Sequence, residues 1–480
     1  MTEPHLFELS HVGRCRAELP DVDVPLAEIP AALTRPDLRL PDVSEVEVVR
    51  HYTRLARLNI SNVNSLQSSG SCTVKYNPIV NEEVAGLPGF AEVHPYQSTE
   101  DLQGVLRVLH DLGNWLSDLT GLPAVTLQPS AGAQAQLAGL LMVRRYFEHR
   151  GDAAQRDTVL VTTTAHGSNP ASAAMAGYHV VTIPQGRDGT LDLTALRAAL
   201  SRRVAVFMMT NPNTHGVFED RAVDVADLVH REKAMLFLDG ANLNAIVGKV
   251  RVADLGVDLA QLNLHKTFST PHGGNGPGAG ALLVRSDLEP YLPTPVVSQR
   301  EDGMYTLDRV RPLSIGRVRS FYGQFGILLR AYTYIRAQGA SGLRQQAEDA
   351  VLHANYLFRR LRDVYPSVYE RDCMHEFLVT AKHLKTYGVT ARDIGRRLMD
   401  YGYHPPNVPP RLVEEGLLIE PTETESVESL DAFADALVAI AREAETNPDL
   451  VRSAPHTTPV RRLMPTRPNG VPDVAARLAP

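Results

Sequence analysis

Lysine is scarce in this 480-residue chain: only Lys75, Lys233, Lys249, Lys266, Lys382 and Lys385 occur, and every other basic residue apart from histidine is an arginine. Arginine does not deprotonate at working pH, so chemistry that needs an amine nucleophile is confined to a short list. Lys266 stands out because it follows the apolar run Gln261-Leu-Asn-Leu, and because Asp239 closes another such run 27 positions earlier. A lysine amine condenses with an aldehyde to a Schiff base, and a carboxylate can hold a pyridine nitrogen protonated so that the ring accepts electrons from a carbanion. That pair is what a pyridoxal phosphate site requires. His166 offers a flat imidazole to stack on such a ring. The segment Ser130-Ala-Gly-Ala-Gln134 opens a helical pattern, where free backbone N–H groups and the helix dipole suit a phosphate.

These residues converge only if strand ends bring them together. From about Thr126 short β-branched and apolar runs alternate with helical stretches, the rhythm of a mostly parallel sheet covered by helices. Thr158-Val-Leu-Val-Thr-Thr, Val204-Ala-Val-Phe-Met-Met, Ala234-Met-Leu-Phe-Leu and Gly280-Ala-Leu-Leu-Val are the clearest strands, nearly all apolar as expected where both sheet faces are covered. In open α/β sheets ligands bind beyond the carboxyl ends of strands. The residues standing there are Ala165-His166-Gly167, Thr210-Asn-Pro-Asn-Thr214, Asp239-Gly-Ala241-Asn242 and His265-Lys266. Helices are expected over Glu45 to Leu58, Gln134 to His149, Phe325 to Val364, Thr390 to Tyr401 and Ser426 to Thr446, with a further strand at Phe377-Leu-Val-Thr. The implied organisation is an N-terminal arm and helix (1–65), a large cofactor-binding domain (66–324), a smaller C-terminal α+β domain (325–446) and a Pro/Arg-rich strap (447–480).

Composition limits the alternatives. Charged residues make up 21% and apolar ones 44%, with a formal net charge of −7, so the chain reads as globular, without the basic patch that nucleic acid requires. Cys15, Cys72 and Cys373 are widely spaced, which argues against a disulfide framework or a cysteine zinc site, and no 18-residue apolar run suggests a membrane span. A cytoplasmic protein is expected. Two motif fragments mislead: Gly276-Pro-Gly-Ala-Gly-Ala281 matches G-x-G-x-x-A but precedes a strand, and His375-Glu376 lacks the second histidine of H-E-x-x-H, so no metal is expected.

Asn263-Leu-His-Lys-Thr-Phe-Ser-Thr-Pro-His-Gly-Gly-Asn-Gly-Pro-Gly278 closely resembles the lysine segment of the glycine cleavage system P-protein, in particular subunit 2 of the two-subunit form. Gly70-Ser-Cys-Thr-Val-Lys-Tyr-Asn-Pro78, His94-Pro-Tyr-Gln97, Ala165-His-Gly-Ser-Asn-Pro-Ala-Ser172, Gly316-Arg-Val-Arg-Ser-Phe-Tyr-Gly323 and Glu420-Pro-Thr-Glu-Thr-Glu425 agree with it, in order along nearly the whole chain. The resemblance implies an α/β pyridoxal phosphate-dependent transferase of fold type I, aspartate aminotransferase-like. It also implies glycine dehydrogenase (aminomethyl-transferring) activity: glycine is decarboxylated and its aminomethyl group passes to the lipoyl group of H-protein. Matched residue by residue, Lys266 would carry the Schiff base, Asp239 the pyridine nitrogen and His166 the ring stack. His265, Thr214, Ala241 and the backbone of Gly132, Ala133 and Gln134 would hold the cofactor, with Arg317 and Arg319 candidates for the substrate carboxylate. A dimer or a heterotetramer with subunit 1 is implied.

Four places depart from the family pattern: Gln67-Ser68-Ser69 replaces apolar residues, Gln136 replaces a carboxylate, His215 an apolar residue and Asn275 a glycine. All lie in motifs expected near the site. They define a second reading, a stand-alone pyridoxal phosphate enzyme of the same family acting on another small amino acid or amine in a specialised pathway.

Overall fold

A computed structural model describes residues 3–15, 21–35, 40–272, 278–409 and 413–462. Its centre is a seven-stranded sheet of β1 (Ala124–Thr126), β2 (Thr158–Thr162), β3 (His179–Ile183), β4 (Val204–Thr210), β5 (Met235–Gly240), β6 (Leu259–Asn263) and β7 (Gly280–Val284), in the order β1-β7-β6-β5-β4-β2-β3. β3, β2, β4, β5 and β6 are mutually parallel, and β7 runs antiparallel to both its neighbours.

Alternation along the central strands feeds two cores. Phe207 and Met209 of β4, with Leu236 and Leu238 of β5, face one side, while Val206, Met208, Met235 and Phe237 face the other. This two-sided burial is why the strands read as unbroken apolar runs. By the same alternation Asp239 points to the face covered by the helix Gly132–His149, whose Ala135, Ala138 and Met142 pack in the second core.

Beyond the sheet lie a hairpin of β8 (Val296–Gln299) and β9 (Tyr305–Asp308) and the helical stretch Phe325–Leu361, which bends at Gly339 where φ is +62°. A smaller layer follows, with β10 (Phe377–Thr380) antiparallel to β11 (Gly416–Ile419) and packed by the helices Ala391–Asp400 and Val427–Thr446 around a third core. Leu66 belongs to that third core, and Ser69 bridges Ile419. The segment expected to open the large domain is thus shared with the small one. The same core takes in Val451 from the short helix Pro448–Ser453, so the strap expected from 447 begins as part of the small layer. Among the described residues no helix is long and apolar enough to cross a membrane.

Candidate active site

The carboxyl ends of β4, β5 and β6 lie in register, with Thr210 beside Asp239 and Asp239 beside Gln261. Asp239 is 1% exposed and receives hydrogen bonds on both oxygens. Oδ2 accepts from Gln136 Nε2 at 3.1 Å and Asn169 Nδ2 at 2.8 Å; Oδ1 accepts from the Ala241 N–H at 3.1 Å and from Gln261 Nε2. A carboxylate offers about four lone-pair sites, so these donors fix its plane completely. Sequence reasoning placed Asp239 and Ala241 here but not the three side-chain amides. Gln136 had been noted only as a departure from a pattern.

Lys266 sits in the short helix Leu264–Thr267 that β6 runs into, half-buried, with Nζ donating to the Ser71 carbonyl at 2.9 Å. Ser71 (φ +65°) and Thr73 (φ +49°) both occupy the left-handed region, which costs a non-glycine residue on the order of 1–3 kcal/mol. His265, 8% exposed, approaches the Ala279 carbonyl with Nδ1 at 3.3 Å and packs edge-on against His272. Burial first, then the His272 and Lys266 charges, push its imidazole down to about 3, so it is neutral. Its ring fills the space above Gly278, where a Cβ would come within 2.3 Å.

His166 is exposed in the loop after β2, its Nδ1 2.8 Å from the Ser168 hydroxyl and accepting from the Ser168 N–H. Asn169 ties this loop to the carboxylate, since its Nδ2 also donates to the His166 carbonyl at 3.2 Å. Thr214 is half-buried and donates to the Thr164 carbonyl at 2.9 Å.

Gly132, Ala133 and Gln134 form the first turn of the helix Gly132–His149, whose N-cap residue Ala131 has no side chain able to cap it. A Cβ at Gly132 would lie 2.1 Å from Asn263 Oδ1 and 2.6 Å from Gln261 Oε1, so only glycine lets this turn close on the end of β6. Gln134 accepts from Ser130 and donates to the Val318 carbonyl at 2.9 Å, which brings the segment carrying Arg317 and Arg319 against the turn. Arg317 is exposed and bonded to the Tyr96 hydroxyl at 3.1 Å, whereas Arg319 Nη1 is buried with no partner among the described residues.

The arrangement suits pyridoxal phosphate. Open N–H groups and an unpartnered guanidinium nitrogen await an anion. Gln136 Oε1 and Gln261 Oε1 are buried without partners among the described residues, leaving acceptor capacity beside Asp239.

The remaining departures do not all sit here. Gln67, Ser68 and Ser69 are buried at the junction with the small layer, Ser68 Oγ donating to the His404 carbonyl at 3.1 Å and Ser69 Oγ to the Pro405 carbonyl at 3.4 Å, while Gln67 Nε2 has no partner among the described residues. His215 is buried and stacked on Tyr369, whose hydroxyl lies 2.6 Å from Nδ1, and burial pushes it down to about 4. Asn275 and its flanking glycines lie outside the described residues. Two residues not foreseen, Glu376 and Glu420, are fully buried with His375 within the electrostatic reach of Lys266; one polar side-chain atom of each lies within 4.8 Å of the others. Of these, His375-Glu376 had been weighed only as a broken metal motif.

Comparison with known proteins gives one consistent answer. A family model described as glycine dehydrogenase, C-terminal domain, matches residues 346–456, and one described as aminotransferase class-V matches residues 138–300. The protein of Caldanaerobacter subterraneus subsp. tengcongensis named probable glycine dehydrogenase (decarboxylating) subunit 2 is 49% identical over 464 residues, 95% of each chain. A protein of the same name from Bacillus velezensis is 48% identical over 96% of this chain and 95% of its own length. Among solved structures, an inhibitor-bound glycine decarboxylase (P-protein) of the glycine cleavage system superposes with a TM-score of 0.73 at 23% identity, over 86% of this chain and 93% of that one. The apo cysteine desulfurase from Thermococcus onnurineus NA1 gives 0.62 at 16% identity, over 79% and 95%, so these two likenesses show the fold, that of fold type I pyridoxal phosphate enzymes.

Proposed function

The chain belongs to the glycine dehydrogenase (decarboxylating) subunit 2 family, and we propose that it decarboxylates glycine with pyridoxal phosphate and passes the remaining aminomethyl group to the lipoyl group of an H-protein. A subunit 1 partner, in a heterotetramer or related dimer, and a cytoplasmic location go with this reading. The observation that carries it is the placing of Asp239 and Lys266 at the carboxyl ends of adjacent parallel strands, with the carboxylate buried and held by four donors. Similarity over nearly the whole chain to relatives of one name lends no support to a stand-alone enzyme for another amino acid.

When bound, pyridoxal phosphate supplies an aldehyde for an amine and a protonated ring that accepts the electron pair left as CO2 departs. Lys266 Nζ, aimed by the Ser71 carbonyl, is the amine that would hold the cofactor aldehyde. Asp239, whose carboxylate is fixed by its amide donors, would keep the ring nitrogen of the cofactor protonated. The N–H groups of Gly132 to Gln134 would hold the phosphate, Thr214 and His265 would contact the phosphate or the ring hydroxyl, and His166, held by Ser168, would offer its imidazole to the ring. Arg319, with one nitrogen unpartnered, is the better of the two arginines for an anionic substrate group.

The direct test is CO2 release by the cofactor-loaded protein over a panel of amino acids, with and without subunit 1 and lipoylated H-protein. Release from glycine only in the complete mixture is expected. Release from another amino acid without either partner would overturn the reading in favour of the stand-alone enzyme.

A further inference from the structure

Glu376 and Glu420 have no part in the chemistry above, yet both are 0% exposed and within the electrostatic reach of Lys266. Phe377 pairs with Ile419 in the β10–β11 ladder, so the residue before one strand and the residue after the other are set side by side. Each holds the same turn. Glu376 Oε2 accepts from the Ser71 N–H at 2.6 Å; Glu420 accepts from the Thr73 N–H at 3.0 Å and the Thr73 hydroxyl at 2.5 Å. Those are the two residues with left-handed φ, and between their anchored amides the Ser71 carbonyl is presented to Lys266 Nζ. A strained turn persists only where its surroundings determine it, and here two carboxyl groups hold the amides of its two left-handed residues, with His272 Nε2 at 3.1 Å from the Cys72 carbonyl between them.

Asn242 Nδ2 donates to Glu376 Oε1 at 3.5 Å and Asn244 Nδ2 to Glu420 Oε1 at 3.3 Å, and the charged or titratable groups facing the pair are few. Lys266 is the nearby cation; Cys72 lies beside it, and Glu423, itself paired with Lys75, faces Glu420. His375 Nε2 stands 3.4 Å from Glu376 Oε1 and 3.9 Å from Glu420 Oε1. Burial pushes this imidazole down to about 3, so it brings no positive charge. Burial and then the neighbouring carboxylate lift Glu376 well above the ordinary range, and burial lifts Glu420 as well. Two carboxylates enclosed together with one ammonium do not both stay ionised.

We propose that Glu376 and Glu420 act as one positioning unit for Lys266, clamping the Ser71–Thr73 turn while holding a single proton between their two carboxyl groups. The unit leaves one negative charge opposite the amine. It rests on the role given to Lys266 under the proposed function.

The test uses the full-length, cofactor-free protein. Infrared spectra of the wild type at neutral pH should contain the C=O stretch of a buried carboxylic acid, and Glu376→Gln and Glu420→Gln should each remove it. The pH profile of Lys266 labelling by a small amine reagent, read by peptide mass, should be unchanged in either single variant, because each keeps one negative charge. In the double variant it should move down by about one pH unit. Glu376→Ala should slow pyridoxal phosphate capture at Lys266, read as a borohydride-reduced adduct, by about tenfold, and Glu376→Gln, which can still accept from the Ser71 N–H, should restore it. A wild-type spectrum without the acid band, single variants that shift the profile as far as the double, or a Glu376→Ala rate equal to wild type would each overturn the proposal. If wild type formed no adduct at Lys266, the role of that lysine would fall, and the infrared band would still decide whether the pair holds a proton.

Discussion

Lys266 donates to the carbonyl of Ser71, a residue 195 positions earlier in the chain, at 2.9 Å. The amine is therefore aimed by a piece of backbone from outside the sheet that carries it.

Replacing Lys266 with Ala removes the amine proposed to bond the cofactor aldehyde. The purified variant should lack the visible absorbance of a lysine-bound cofactor and should lose turnover altogether. Retention of either, measured by spectrum and by CO2 release, would show that another amine does this work.

Asp239 separates stability from chemistry. Asp239→Ala strands four buried donors, each costing about 1–3 kcal/mol when unpaired, so a clear drop in the urea midpoint is expected. Asp239→Asn keeps the shape and should unfold closer to wild type. Both should lose roughly 100-fold or more in turnover, because no carboxylate then keeps the ring nitrogen protonated to accept the electron pair. A fully active Asn variant would remove the carboxylate from the mechanism.

At Gly132 the constraint is steric. Gly132→Ala puts a methyl group within 2.1 Å of Asn263 Oδ1, so the first helical turn must lift from the end of β6. Overpacking of this kind costs about 1–3 kcal/mol. Pyridoxal phosphate affinity, followed by titration, should weaken by roughly tenfold or more, consistent with a displaced phosphate turn.

Acid stability follows from three buried imidazoles. His215, His265 and His375 are pushed down from 6.5 to about 4, 3 and 3, so the unfolded chain binds more protons than the folded one once pH falls below 6.5. Their contribution is complete above pH 6.5 and is lost on acidification towards those values, at up to about 1.4 kcal/mol per pH unit for each. Glu376 and Glu420, lifted instead, favour the folded state at lower pH and oppose the trend. His215→Leu isolates the histidine effect: its urea midpoint should vary less steeply between pH 6.5 and 4.5 than that of wild type. An equal slope would mean that His215 is charged in the fold.

The central strands were readable because both faces are buried, which leaves an apolar run that needs no tertiary knowledge to interpret. β1, three residues long, and the edge strand β3, with Val181 exposed, carry too little of that signal. Asp239, Lys266 and the helix-opening glycine were legible because strand ends are where α/β sheets bind ligands. The partners of these residues were not. Gln136, Asn169 and Gln261 are ordinary amides until a carboxylate is placed among them, and Ser71 contributes a carbonyl, which no side-chain pattern records. Of the polar residues at 67–69, Ser68 and Ser69 bond to backbone at the crossing between layers, which no sequence neighbour signals, and nothing in the structure explains Gln67.

The parts that finish the site are far apart in order of synthesis. The sheet and Lys266 are complete by Val284, but the carboxyl groups that anchor the Ser71–Thr73 turn arrive only at Glu376 and Glu420. Closing contacts of such sequence separation are slow, since loop-closure entropy is lost before any contact repays it. A chain still on the ribosome, or one clipped after the sheet, would thus present its reactive amine unaimed. Competence to capture the cofactor becomes a late event in the life of the polypeptide and a readout of whether its final third has docked.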